Sequence, residues 1–287
     1  MWNNQHGVVL AMIQVKKANG ELEPFSTEKL ERSLRNSGAD SVLIAEILKE
    51  INSWIFEGVT TKRIYDSAFA YLRRKKQSSS LRYKLKQAIM ELGPTGHPFE
   101  HFIGKVLENQ GYKTEVAQIV PGFCVTHEVD VIATKDKNQL IVECKYGQSS
   151  DKSVSVQVPL YVHSRVNDII RIREKLLEFQ GYIFQGMVAT NTRFTNDSIS
   201  YSRCSGLRLL GWDYPEGKGL KDIIDSQKIY PITVLQTLTN AQKQMLFEKE
   251  IVVCGQILNN IEALDFLMMT PAKQSKLLEE IKSICNK

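Results

Sequence analysis

Cysteine is scarce and badly placed for cross-linking: five residues, Cys124, Cys144, Cys204, Cys254 and Cys285, are scattered without a single C-x-x-C pair. That distribution supports neither a disulfide framework nor a zinc site, and it suits a reducing compartment. Long apolar runs are missing too; none reaches the ~18 residues that a membrane-spanning helix needs. The first residues, MWNNQHGVVLAMIQVKK, are too polar for a secretory signal and lack its basic flank, so a cytoplasmic protein is expected. There is no Walker sequence and no G-x-G-x-x-G, which argues against a site that hydrolyses ATP. Internal repeats and low-complexity stretches are also absent.

The chain has 287 residues and a formal charge of +5. Domains of ~100 to 150 residues predict two or three of them. The charge is unevenly spread. Residues 1–93 hold 15 Lys and Arg against 10 Asp and Glu, and the remaining 22 of each sign cancel. Nine basic residues fall between Lys62 and Lys86, where Asp66 is the one acid. Such a run favours a polyanionic partner; its alternative is a solvated helix surface.

The most informative stretch is His127 to Tyr146, HEVDVIATKDKNQLIVECKY. It reads as two short apolar strands, with Asp130 in the first and Glu143 and Lys145 in the second. Strand side chains alternate faces, so Glu143 and Lys145 project together while Val142 and Cys144 point the other way. If the strands pair, three charges converge in a setting made apolar by Val129, Val131, Ile132, Leu140, Ile141 and Val142. A hard divalent cation gives those charges a reason: Mg²⁺ prefers carboxylate oxygens plus water. Asp130 and Glu143 could hold it, with the Lys145 ammonium orienting or deprotonating a water.

This pattern resembles the PD-(D/E)XK nuclease core, with Asp130 as its aspartate and Glu143-Cys144-Lys145 as its E-x-K element. Val129 replaces the name-giving proline. The resemblance implies that Asp130, Glu143 and the Cys144 backbone carbonyl bind Mg²⁺ or Mn²⁺. It also implies that Lys145, its pKa lowered by the metal and partial burial, positions the water. Upstream, Phe99, Phe102, Ile103, Val106 and Leu107 mark one face of a helix from His97 that stops near Gly111. Glu100, one turn into it, either matches an extra acid of many family members or complements the helix dipole.

Downstream, Gln157 and Tyr161 have the spacing of a Q-x-x-x-Y element that lies beside DNA in some members. With Pro159 between them, Tyr161 reads rather as a core residue. Gly186 to Asn191 reads as a buried strand, Thr195 as the cap of a helix over 197–205, and Leu207 to Gly211 as a further strand. Strand, T-x-x-R-F-T, helix and strand in that order look like the second half of the Mrr-type restriction endonuclease catalytic domain. Arg193 there either holds a phosphate or is a surface arginine in a turn.

At the other end of the chain, Val15 to Phe25, VKKANGELEPF, reads as a hairpin with Asn19-Gly20 at its tip. Helical patterns follow at 27–37, 41–55, 60–74 and 80–92. A hairpin plus four helices opening with V-x-K-x-x-G-x-x-x-P-F resembles the ATP-cone, a nucleotide-binding regulatory domain. The resemblance implies ATP or dATP as an effector near Val15, Lys16, Lys17 and Lys29. Ala18 and Asn19 depart from the family's pattern.

Gly93-Pro-Thr-Gly-His-Pro98 marks a boundary, and Trp212 to Gly219 a second one. The expected organisation is an α/β (α+β) chain: residues 1–93 an ATP-cone-like sensor, 94–219 a restriction-endonuclease-like mixed sheet flanked by helices, and 220–287 a small helical region. In the last, 237–258 resembles a helix-hairpin-helix, with Glu250 where its turn favours glycine. The function expected is a Mg²⁺-dependent DNA endonuclease gated by nucleotide and acting as a homodimer, since a double-strand cut needs two sites. Two alternatives stand beside it: a nucleotide-regulated DNA-binding protein with an inactive nuclease fold, and a ribonucleotide reductase partner or repressor. Alanine at Asp130, Glu143 or Lys145 should abolish cleavage, with carboxylate removal relieving repulsion.

Overall fold

The computed structural model describes residues 13–17, 19–149 and 151–285. Residues 1–12, most of the start read as lacking a secretory signal, and Ala18 lie outside the described residues. Two compact units emerge, Met1–Lys84 and Leu85–Lys287.

In the first unit, β1 (Gln14–Lys16) and β2 (Leu22–Pro24) pair antiparallel, with Val15 opposite Glu23. Gly20 takes φ +89° at the tip, a conformation open to glycine at no steric cost. Four helices follow: α1 (Thr27–Asn36), α2 (Ser41–Trp54), α3 (Thr61–Lys75) and α4 (Gln77–Tyr83). Ser26 accepts from the Lys29 amide at 3.1 Å, Asp40 from that of Leu43 at 2.9 Å and Thr60 from that of Arg63 at 3.2 Å, so three of the starts are capped by side chains. Val15, Leu34, Ile47, Ile51, Ala68 and Leu72 form the core.

The helix expected over 80–92 is instead two, broken at Lys84. Tyr83 stacks on Tyr65 in the first unit, with ring centroids 4.8 Å apart. Beyond the break, α5 (Leu85–Met90) buries Leu85, Ala88 and Ile89 in the second, and the Ala88 carbonyl accepts from the Thr233 hydroxyl at 2.7 Å. The two compact units meet in sequence between Lys84 and Leu85. Apolar side chains on the two sides of Lys84 are buried in different cores.

The second unit continues with α6 (His97–Glu108), β3 (Lys113–Pro121), β4 (Thr126–Lys135), β5 (Asn138–Lys145), β6 (Ser153–Val154) and α7 (Gln157–Arg173). Then come β7 (Ile183–Thr190), β8 (Arg193–Phe194), α8 (Asn196–Ser205) and β9 (Arg208–Leu210). The chain closes with α9 (Leu220–Gln227), α10 (Asn240–Phe247), α11 (Cys254–Asn259) and α12 (Pro271–Cys285). Five strands form one mixed sheet in the order β3-β4-β5-β7-β9. The β3–β4 and β4–β5 pairs are antiparallel, whereas β5–β7 and β7–β9 are parallel. A parallel pair needs a crossover, and α7 supplies it between β5 and β7. Strand β3 was not foreseen: its polar alternating edge, KTEVAQIVP, gives little apolar signal.

Phe99, Phe102, Ile103 and Val106 of α6 are fully buried, as the helical spacing predicts. β4 and β5 join through Asp136 and Lys137, both at positive φ (47° and 61°), the geometry that a tight two-residue hairpin demands. Thr195 caps α8 by accepting from the Ser198 amide at 3.3 Å. In the turn between α10 and α11, Glu250 holds φ +56° where glycine was expected. Among the described residues, no helix is long and apolar enough to cross a membrane.

Close approach of α7 to the sheet depends on Gly186. A Cβ there would lie 2.4 Å from Leu207 Cδ2 and 3.0 Å from Val166 Cγ2. Gly186→Ala is expected to cost about 1–3 kcal/mol by overpacking. A lowered urea midpoint with an unchanged m-value would show it, and an unchanged midpoint would mean that the layers separate freely.

Candidate active site

Alternation along β5 decides which side chains meet α7. Gln139, Ile141, Glu143 and Lys145 share a face, and α7 lays Tyr161, Arg165 and Arg173 along it. The Gln139 side-chain oxygen accepts a hydrogen bond from Arg173, and Ile141 joins the core with Val162, Val166 and Ile169. Glu143, only 6% exposed, accepts from the Lys145 ammonium at 2.6 Å. It also accepts from the Tyr161 hydroxyl on one oxygen and from the Arg165 guanidinium on the other.

Asp130 reaches the same place from β4 through an interruption of the sheet. On one side Val129 and Val131 pair with Gln118 and Val116, and the residue between those two, Ala117, sits at φ +53°. On the other side the β4–β5 pairing stops at Val131 opposite Val142. Asp130 is thus skipped by both ladders. Its carboxylate accepts from the Cys144 amide at 2.6 Å instead. A non-glycine residue in the left-handed region costs of order 1 kcal/mol or more, and such strain concentrates at functional sites.

Electrostatics binds the three acids into one group. Burial, then the charge of Glu143, raises the Asp130 pKa to about 7; the Cys144 amide opposes this and Glu100 adds to it. Burial also raises the Glu100 pKa; nearby His97 opposes this, and the charges of Glu128 and Glu143 add to it. Glu100 sits in the first turn of α6, 3.3 Å from His97 Nδ1. The depression expected for Lys145 is not found. Burial does work against its charged form, but hydrogen bonds to Glu143 and Tyr161 and the Glu143 charge outweigh it, so its pKa is raised. Burial, then the Glu143 hydrogen bond, pushes Tyr161 up to about 12.

The sequence-derived set therefore divides. Asp130, Glu143, Lys145 and Glu100 share one electrostatic neighbourhood. The Cys144 thiol is buried on the other face, with its pKa raised well above the ordinary range by burial and by Asp130, which leaves it protonated rather than a thiolate ligand. Gln157 is exposed in the first turn of α7. Arg193 is exposed and lies 3.4 Å from Asp213. In the first unit Val15 is a core residue, and Lys17 and Lys29 both lie near Glu23, at 3.1 and 3.2 Å.

Two site residues escaped the sequence reading. Tyr161 is 40% exposed and bonded to Glu143 rather than buried in the core, and Arg165 was not singled out at all. The available signal was the i, i+4, i+8 spacing of Gln157, Tyr161 and Arg165, which puts three polar groups on one helix face.

Comparison with known proteins bears on this arrangement of a β4–β5 hairpin, a crossover helix, a buried Glu143 and a half-buried Asp130. Residues 93–214 match the restriction endonuclease family model. The restriction-endonuclease-like domain thus spans every strand of the mixed sheet and all of α7. Residues 230–285 match a second family model, described as AF1548-like, C-terminal. An uncharacterized protein of Archaeoglobus fulgidus is 29% identical over 187 residues, which are 63% of this chain and 99% of that one. The solved structure titled "Crystal Structure of Protein of Unknown Function AF1548" has 28% identity and a TM-score of 0.54; the match covers 66% of this chain and 97% of that one.

Proposed function

We propose that this chain is a divalent-metal-dependent DNA endonuclease of the Mrr-like restriction type. One observation carries the reading: Asp130, freed from both strand ladders, shares an electrostatic neighbourhood with the Glu143–Lys145 pair inside the restriction-endonuclease-like domain.

Among the described residues, no group of three or more His, Cys, Asp and Glu side chains is arranged to hold a metal ion. The donor chemistry nonetheless fits Mg²⁺ or Mn²⁺, which bind through one or two carboxylates and keep several waters. Asp130 and Glu143, with the Cys144 carbonyl, would hold the ion, and a cation would offset the burial and then the Glu143 charge that raise the Asp130 pKa. When bound, it would supply an acidified water and neutralise charge on the phosphoryl oxygens. Lys145, charged and partly exposed, would orient that water or meet the charge that develops on phosphate. Tyr161 and Arg165 fix Glu143 from the helix side. Glu100 adds negative potential from α6.

The first unit, a hairpin plus four helices, is assigned the role of an ATP-cone-like sensor of ATP or dATP. Lys16, Lys17 and Lys29 would meet the phosphates, which must compete with Glu23 for Lys17 and Lys29. Homodimer formation is assigned from the need for two cuts, and a cytoplasmic setting from the cysteine pattern. A second reading, a nucleotide-regulated DNA-binding protein with an inactive nuclease fold, is favoured by one observation: both Glu143 oxygens already accept hydrogen bonds from Tyr161 and Arg165.

Plasmid cleavage in Mg²⁺ or Mn²⁺, with and without ATP or dATP, separates the two. Cutting that requires metal and changes with nucleotide is the expected result. Nucleotide-sensitive binding without cutting in either metal would move the assignment to the second reading.

A further inference from the structure

β5 and β7 end side by side, and a second cluster of charge gathers at this end of the sheet. The Thr190 hydroxyl donates to the Lys145 carbonyl at 2.6 Å. One residue on, the Asn191 carbonyl accepts from the Lys86 ammonium at 2.9 Å. That ammonium lies 4.4 Å from the ring centroid of Trp212. The Trp212 amide donates to the Thr192 carbonyl at 2.8 Å, and its own carbonyl accepts from the Lys221 amide at 3.1 Å. Arg193 stands alongside, 67% exposed, with its Nε 3.4 Å from Asp213. Four segments that are distant in sequence, α5, the end of β7, the end of β9 and the start of α9, thus meet at one place.

The cluster is unbalanced. Lys86 is part-buried, yet among the described residues no carboxylate lies within ion-pair distance of it. Burial lowers its pKa to about 8, the charges of Arg193 and Lys221 push the same way, and Asp213 alone opposes them. A desolvated cation facing two others costs free energy that a bound anion would offset. None of this is required by the carboxylate site on the α7 face.

We propose that Lys86, Arg193 and Lys221 form a phosphate-binding subsite that holds the nucleic-acid backbone as it runs past the Glu143–Lys145 pair. This rests on the nuclease reading and adds where the strand is gripped. The Asn191 carbonyl and the Trp212 ring fix Lys86 as a point charge, while Arg193 offers a planar fork suited to phosphate oxygens. Contacts of this kind set position and affinity without reading bases.

The test uses the full chain with Asp130→Asn in the presence of chelator, so that binding is read apart from cutting. A short fluorescent DNA duplex, and one of its strands alone, are titrated across a salt series. Arg193→Ala and Lys221→Ala should each reduce the slope of log affinity against log salt by about 1, with equal losses on unrelated sequences. Lys86→Met should remove a further contact; because Lys86 is part-buried, Arg193 and Lys221 decide the matter if that variant fails to fold. A double Arg193→Ala/Lys221→Ala variant that keeps the parent's affinity and slope overturns the subsite and leaves the nuclease reading standing. A parent chain that binds neither probe at low salt overturns both.

Discussion

Asp130→Asn is expected to lose cleavage by about 10²–10⁴-fold, the loss that follows from several kcal/mol of metal-derived charge stabilisation. The same change should make the metal-free protein more stable at neutral and alkaline pH. The sign follows from the raised pKa of Asp130, about 7 against an ordinary 3.8. The folded state holds this proton more tightly than the unfolded chain does, so the stability it contributes is complete below about pH 4 and is lost as the pH rises to about 7. Above that, the parent carries a charged carboxylate against Glu143 and Glu100, whereas the asparagine carries none and keeps an oxygen for the Cys144 amide. The advantage of the variant should grow between pH 4 and 7 and level off on the order of 4 kcal/mol, one pKa unit being worth about 1.4 kcal/mol. Urea unfolding in chelator from pH 5 to 9 measures it, and a pH-independent difference would contradict the assigned cause. Added Mg²⁺ should stabilise the parent by mass action and leave the variant unchanged.

Glu143→Ala should lose cleavage as well, but at a cost in stability. From the sequence, removing any metal carboxylate was expected to relieve repulsion. The geometry separates the two acids. Asp130 has neighbours that repel it, whereas Glu143 is 6% exposed and held by Lys145, Arg165 and Tyr161. Truncating it strands the Arg165 guanidinium, 24% exposed, beside an apolar layer. Breaking such a pair is expected to cost roughly 3 kcal/mol, the low end of the range for buried ion pairs because both cations keep some water. A double-mutant cycle with Arg165→Ala should recover part of the loss. Full stability in Glu143→Ala would show that the pair contributes nothing to the fold.

How much of this could be read in advance depended on range. Asp130, Glu143 and Lys145 were legible because two-residue alternation and a short loop determine which strand residues meet. The capped start at Ser26, the hairpin tip at Gly20 and the buried face of α6 were legible for the same local reasons. Strand β3 was not, because an edge strand needs no apolar face of its own. The break at Lys84 follows from which core takes Tyr83 and which takes Leu85, and helical periodicity is blind to that. Tyr161 and Arg165 were hidden because their partner lies on another element. Periodicity shows that they share a helix face, but not that the face lies over Glu143.

Two of the three arginines of α7, Arg165 and Arg173, have a mechanical consequence. Arg165 meets Glu143, and Arg173 meets Gln139. Eight residues of helix rise about 12 Å, and four residues of strand about 13 Å, so the two spacings nearly coincide. The helix is therefore indexed against the strand like a vernier with two engaged marks, one at the site and one remote from it. A slip of one turn, about 5.4 Å, would unseat both marks together. The far mark keeps the near one in register, so the aim of Tyr161 and Arg165 at Glu143 is set in part by a contact four strand residues away that takes no part in the chemistry.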